Sequence, residues 1–111
     1  MIEIIILEFL KKQLSVPTFL ERQKLMPAKF VLIQKTGSSK RNQLSSSTFA
    51  FQSYAPSMYE AASLNEEVKE AVEELIMLNE ISRVSLNSDY NFTDTETKEY
   101  RYQAVFDINH Y

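Results

Sequence analysis

Pro56-Ser57-Met58-Tyr59-Glu60 runs into Ala61-Ala62-Ser63-Leu64-Asn65-Glu66-Glu67-Val68-Lys69-Glu70-Ala71-Val72-Glu73-Glu74-Leu75-Ile76, and from Ser82 the chain continues Arg83-Val84-Ser85-Leu86. Across this stretch the apolar period changes from that of a helix to that of a strand. Ser57 and Glu60 have the spacing of a capping box, in which the serine oxygen accepts from the amide three residues on and the carboxylate reaches back. Behind that cap, Ala61, Leu64, Val68, Ala71, Val72, Leu75 and Ile76 form one stripe, with Glu66, Glu67, Lys69, Glu70, Glu73 and Glu74 opposite. The pattern predicts an amphipathic helix from Ser57 to near Asn79 with one buried face.

From Ser82 alternation takes over. Val84, Leu86, Tyr90 and Phe92 are expected on one face, against Arg83, Ser85, Asn87, Asp89 and Asn91 on the other. Residues 93–98 read as a turn. The return strand sets Tyr100, Tyr102, Ala104, Phe106 and Ile108 against Arg101, Gln103, Val105, Asp107 and Asn109. The reading is a long C-terminal hairpin with Tyr90, Phe92, Tyr100 and Tyr102 on a shared face. Those aromatics serve either as cross-strand core pairs or as anchors for a partner.

Upstream, Thr48 to Tyr54 alternates Phe49, Phe51 and Ser53 against Thr48, Ala50, Gln52 and Tyr54, which predicts a strand. Lys29-Phe30-Val31-Leu32-Ile33-Gln34-Lys35 is β-rich without alternation, the signature of a central strand covered on both faces. Residues 36–47, which hold the only glycine, read as a mobile loop joining these two strands. At the start, Ile2, Ile5, Ile6, Phe9, Leu10 and Leu14 recur at helical spacing, and Ser15-Val16-Pro17 stops that helix ahead of a short strand at Val16 to Leu20. The order α, short β, β, β, α, β, β predicts an α+β domain spanning residues 1–111. Its sheet would be mostly antiparallel, with about four to five strands and both helices on one face.

With 44% hydrophobic and 24% charged residues, the composition is that of a globular domain rather than a disordered chain. Its 111 residues are enough to bury roughly two-thirds of the unfolded chain's surface. The net charge of −3 argues against a nucleic-acid footprint over the whole domain. Charge is segregated, however: Met1 to Arg41 has eight Lys or Arg against three Glu, and Glu60 to Glu80 has seven Glu and only Lys69 as a base. Glu3 and Glu8 interrupt the first apolar run, and nothing approaches the ~20 apolar residues of a membrane span, so the chain reads as soluble and unprocessed.

The residue inventory points away from catalysis. There is no cysteine for a disulfide, thiolate ligand or thiol nucleophile. A lone Gly37 cannot build a phosphate loop or a dinucleotide turn. His110 is the only imidazole and lies next to the last residue, which removes paired-His metal sites and leaves a Ser-His-Asp arrangement hanging from a terminus. Glu66, Glu70, Glu73 and Glu74 share a helix face at the spacing of a solvated or docking surface. Asp89, Asp94 and Asp107 lack the Asp-rich loop of calcium sites. Asn91-Phe92-Thr93 matches a glycosylation sequon, which carries no weight without a signal peptide. No catalytic residue, metal site or cofactor is expected. Lys35, Lys40 and Arg41 are suited to phosphate or to an acidic protein surface.

Three stretches together resemble a known family: Phe30 through Gly37, Phe51 through Ala62, and the hairpin built from Ser88 to Thr95 and Tyr100 to Ile108. They are similar to the small tail-terminator, or head-to-tail joining, proteins of long-tailed bacteriophages of Gram-positive hosts, and the likeness runs from the first helix to the last strand. The resemblance implies an α+β subunit made in the bacterial cytoplasm that assembles as a hexameric ring at the head-proximal end of the virion tail. Such a ring caps the tail-tube protein and offers a face to the head connector or head-completion protein. It has no enzymatic activity and no membrane partner. A ring requires two different patches that meet head to tail. Lys35, Lys40 and Arg41 against Glu66, Glu70, Glu73 and Glu74 would be such a pair. Alternatively the basic segment lines the lumen, where it would contact DNA or the tape-measure protein. Other readings are a neighbouring neck or head-completion role and, from a different class, a small intracellular binding module such as an antitoxin or regulator.

Overall fold

A computed structural model describes residues 1–41 and 44–111, with the side chain of Arg41 outside that description. The elements follow in the order α1 (Ile2–Gln13), β1 (Thr18–Phe19), β2 (Phe30–Arg41), β3 (Leu44–Tyr54), α2 (Met58–Glu73), β4 (Ile81–Asn91) and β5 (Arg101–His110). A 3-10 turn at Glu74–Met77 connects α2 to β4.

In α1, Ile2, Ile6 and Leu10 fall one turn apart and are its buried residues. The Leu14 amide still donates to the Leu10 carbonyl at 2.9 Å, but Leu14 itself is extended and Pro17 follows. The cap of α2 is as expected: Ser57 Oγ accepts from the Glu60 amide at 3.2 Å. The Glu60 carboxylate accepts from the Ser57 hydroxyl at 3.1 Å instead of reaching the Ser57 backbone. The α-helix ends at Glu73, earlier than the pattern predicts, and the following turn tightens to 3-10 geometry. That tightening advances each residue further round the axis. Leu75 stays buried, while Ile76, expected on the apolar stripe, is 49% exposed.

The five strands form one mixed sheet in the order β1-β2-β3-β5-β4. Only the β1–β2 pair is parallel, and it covers just Thr18↔Val31 and Phe19↔Leu32. The other three pairs are antiparallel. β3 is therefore the middle strand. β2, expected at the centre, lies next to the edge, although Phe30, Val31, Leu32 and Ile33 are buried as expected of a strand covered on both faces.

The segment expected as a loop is instead strand. Residues 36–41 continue β2 and residues 44–47 belong to β3, paired from Gly37↔Thr48 to Arg41↔Leu44; only residues 42 and 43 lie outside the described residues. Serines and threonines give these segments no apolar alternation; the backbone pairing of β2 with β3 and of β3 with β5 makes them strand, and Ser47, buried opposite Ile108, bonds His110. A 12-residue strand spans about 40 Å, which accounts for the molecule's 44 Å long axis.

Both helices cover one face of the sheet. Ile6 and Leu10 of α1, Leu64, Val68 and Val72 of α2, and Phe49, Phe51, Phe106 and Ile108 of the sheet make one core. Phe51 and Phe106 meet edge to face with centroids 5.8 Å apart. Burying such a side chain contributes about 1.5–3 kcal/mol. The opposite face has its own smaller cluster: Phe30 stacks on Tyr54 at 4.4 Å, with Leu32, Phe19 and Met26 around them.

Candidate functional site

Lys35 and Lys40 are exposed on β2. Five residues apart on a regular strand, they would point to opposite faces. A bulge between Lys35 and Gly37 changes this: Lys35 pairs with Phe49 and Lys40 with Ser45, and those two partners share the face covered by the helices. Both ammonium groups therefore lie along one side of β2, on the helix face. Among the described residues, neither forms an ion pair within the chain. Beyond the short β1, from Ile33 onward, β2 pairs only with β3, so its other edge is open among the described residues.

The acidic helix does not oppose these lysines within the chain, and its carboxylates divide into two rows. Lys69 donates to Glu66 at 2.9 Å and to Asp89 on β4, which places Glu66, Lys69 and, one turn on, Glu73 along the flank of α2 nearest β4. Glu67, Glu70 and Glu74 instead line a groove of about 230 Å³ with Gln13 and Leu14 at the end of α1. Asp89 also accepts from the side-chain amide of buried Asn65 at 2.7 Å, so one carboxylate ties two helix residues to the edge strand. The hydrogen bond to Asp89, followed by that to Glu66, raises the Lys69 pKa.

Asp89 reaches the helix because β4 carries a bulge between Leu86 and Ser88. Val84 and Leu86 share the helix face with Ile108 and Phe106, and after the bulge Asp89 and Asn91 occupy that face. The expectation of one shared aromatic face is overturned for the same reason. Tyr90 pairs with Gln103 and lies on the outer face, where it meets Phe92 edge to face at 5.8 Å. Tyr102 lies in register with Ser53 and Asn91 on the helix face, and Tyr100 has the same parity. Tyr90 and Phe92 are each 41% exposed.

On the outer face a polar chain crosses the sheet. The Tyr54 hydroxyl donates to Gln52 at 3.3 Å, Gln52 donates to Gln103 at 2.7 Å, and Gln103 donates to the Tyr90 hydroxyl. At its end Arg101 lies over Phe92 and Tyr54, with its guanidinium 4.5 Å and 5.7 Å from the two ring centroids. Arg22 approaches the Phe30 and Tyr54 rings and donates through both terminal nitrogens to Glu99, which raises its pKa. This strut roofs an open cleft of about 390 Å³ beside Pro56 and Tyr100. No local sequence pattern marks the partners of Arg22, Arg101, Asn65 or Asp89, because none links residues as far apart as Arg22 and Glu99.

Among the described residues, no three His, Cys, Asp or Glu side chains gather in a way that would hold a metal ion. His110 makes a hydrogen bond with Ser47 at 3.0 Å. Asp94 accepts from the amides of Glu96 and Thr97 inside the hairpin turn, and those bonds hold its carboxyl below the usual range. Thr48 donates to Asp107 at 2.7 Å, and Asn87 donates to its other oxygen. No helix among the described residues is long and apolar enough to cross a membrane. In comparisons with known proteins, no family model matches this sequence and no curated protein matches it.

Proposed function

We propose that the protein is a structural subunit that works through its surfaces: a phage tail terminator that caps the tail tube as a ring and joins the tail to the head. The observation that carries this reading is the separation of exposed charge. The free lysines lie on β2 at one side of the sheet order, and the exposed carboxylates Glu66 and Glu73 lie on the helix flank beside β4 at the other. Two unlike patches on opposite sides of one subunit are what a head-to-tail ring requires. The resemblance described above supplies the tail context.

Mixing the purified protein with tail tubes and imaging the tube ends tests the reading directly, with a ring-shaped cap as the expected result. In particles lacking the protein, overlong tails support a terminator, and normal tails beside unjoined heads support a head-completion role instead. A second reading, a small binding module for a basic partner, is favoured by the groove that Glu67, Glu70 and Glu74 form with α1. A gene with no tail-tube and tape-measure genes beside it would support that module and refute the terminator.

A further inference from the structure

The two open sheet edges match each other. The exposed edge of β2 runs from Ile33 to Arg41, because β1 occupies only the positions beside Val31 and Leu32. β4 is the opposite edge, and among the described residues it pairs only with β5. Tracing the register across the sheet, Lys40 lies in the row Ser45, His110, Ile81, and Ile33 lies in the row Phe51, Ala104, Asp89. The open part of β2 is therefore level with Ile81 to Asp89 of β4.

Strand direction fits as well. β2 and β5 run one way and β3 and β4 the other. Rotating a second copy about an axis along the strands lays its β2 antiparallel to the first copy's β4 and keeps the helices of both on the same side. Lys35, and Lys40 brought to the same helix face by the bulge, then face the flank of α2 that carries Glu66 and Glu73.

We infer that copies of this chain join edge to edge, β2 of one pairing antiparallel with β4 of the next, with Lys35 and Lys40 of the first against Glu66 and Glu73 of the second. Closure into a ring rests on the reading proposed above; the edge contact does not. Lysines and bulges on an edge strand discourage indiscriminate pairing. Here they also select the partner. Two β2 edges together would oppose lysine to lysine, and two β4 edges would oppose glutamate to glutamate. Only the head-to-tail combination places opposite charges together.

The test uses two charge-reversed variants, Lys35→Glu with Lys40→Glu and Glu66→Lys with Glu73→Lys. Self-association is followed by sedimentation over a dilution series, and hydrogen exchange by mass spectrometry locates the contact. Wild-type protein is expected to associate with slowed exchange in residues 33–40 and 81–89, more weakly at high salt. Each variant alone should associate at least about tenfold more weakly. A 1:1 mixture of the two should recover wild-type assembly, since each then presents the charge the other lacks. Native circular dichroism and a cooperative melting transition establish that the variants are folded, although Glu66→Lys also loses its ion pair with Lys69.

Wild-type-like association by either variant overturns the inference, as does assembly without protection of both strands, or a monomer at every concentration up to the solubility limit. Rings that cap tubes without protecting β2 and β4 would refute the edge contact and leave the terminator reading standing. Edge-paired assemblies that leave tube ends bare would refute the terminator alone.

Discussion

Replacing Asp89 with alanine should loosen the acidic helix from the edge strand, with a cost that follows from its partners. Asp89 accepts from the Asn65 side chain at 2.7 Å and from Lys69. Asn65 is 1% exposed, and its own side-chain oxygen has no partner, so the substitution leaves a buried amide without its acceptor. That costs about 1–3 kcal/mol. Lys69 keeps Glu66 at 2.9 Å and loses less, up to about 1 kcal/mol. The expected total of about 1–4 kcal/mol corresponds to a melting-temperature drop of roughly 4–16 °C for a domain of this size.

Urea unfolding followed by far-ultraviolet circular dichroism measures the loss, with an unchanged m-value showing that the denatured state is unaltered. A double-mutant cycle with Asn65→Ala should show strong coupling. Asp89→Asn, which keeps one acceptor, should fall between wild type and alanine. A loss below about 0.5 kcal/mol, within the range of ordinary surface substitutions, would refute the reasoning. The pH dependence provides a further check. The folded-state pKa of Lys69 is raised above its ordinary 10.5, so this contribution is fully present below that pH and is lost as pH rises through the raised value. The part of the stability gap between wild type and Asp89→Ala that Lys69 contributes should therefore narrow in strongly alkaline solution.

Gln103→Ala removes the acceptor for the buried Gln52 amide and should cost about 1–3 kcal/mol in the same urea assay. Ser57→Ala removes the α2 cap and should cost about 1 kcal/mol, with faster hydrogen exchange confined to the first turn of the helix. The Asp94 carboxyl should titrate below its ordinary 3.8 by NMR, because the Glu96 and Thr97 amides stabilise its ionised form. Its contribution to the turn is present above 3.8 and disappears as pH falls through the lowered folded value. An Asp94 titration at or above 3.8 would contradict the turn geometry.

Much of this architecture is local information. The Ser57 cap, the 3.6-residue stripe of α2 as far as Leu75, the alternation of Phe49 and Phe51, and the stop at Pro17 are set by contacts among neighbours in the chain, and each appears in the structure where the sequence places it. The same holds for the exposure of the acidic helix face and of Lys35 and Lys40, since charged side chains without apolar neighbours remain in water. What required the tertiary structure was register. Periodicity assumes an unbroken alternation, and a bulge, which depends on the partner strand, breaks it without changing composition. The bulge before Gly37 gathers the two lysines on one face; the one before Ser88 turns Asp89 toward Asn65 and separates Tyr90 and Phe92 from Tyr100 and Tyr102. Likewise the serine-rich run at residues 44–47 becomes strand through pairing with β2 and β5, a long-range contact that no local propensity encodes. Sequence determined both helices, the cores of the strands and their polarity. The hydrogen-bonded partners of each strand decided which side chains meet, because a shift of one residue moves every following side chain to the other face of the sheet.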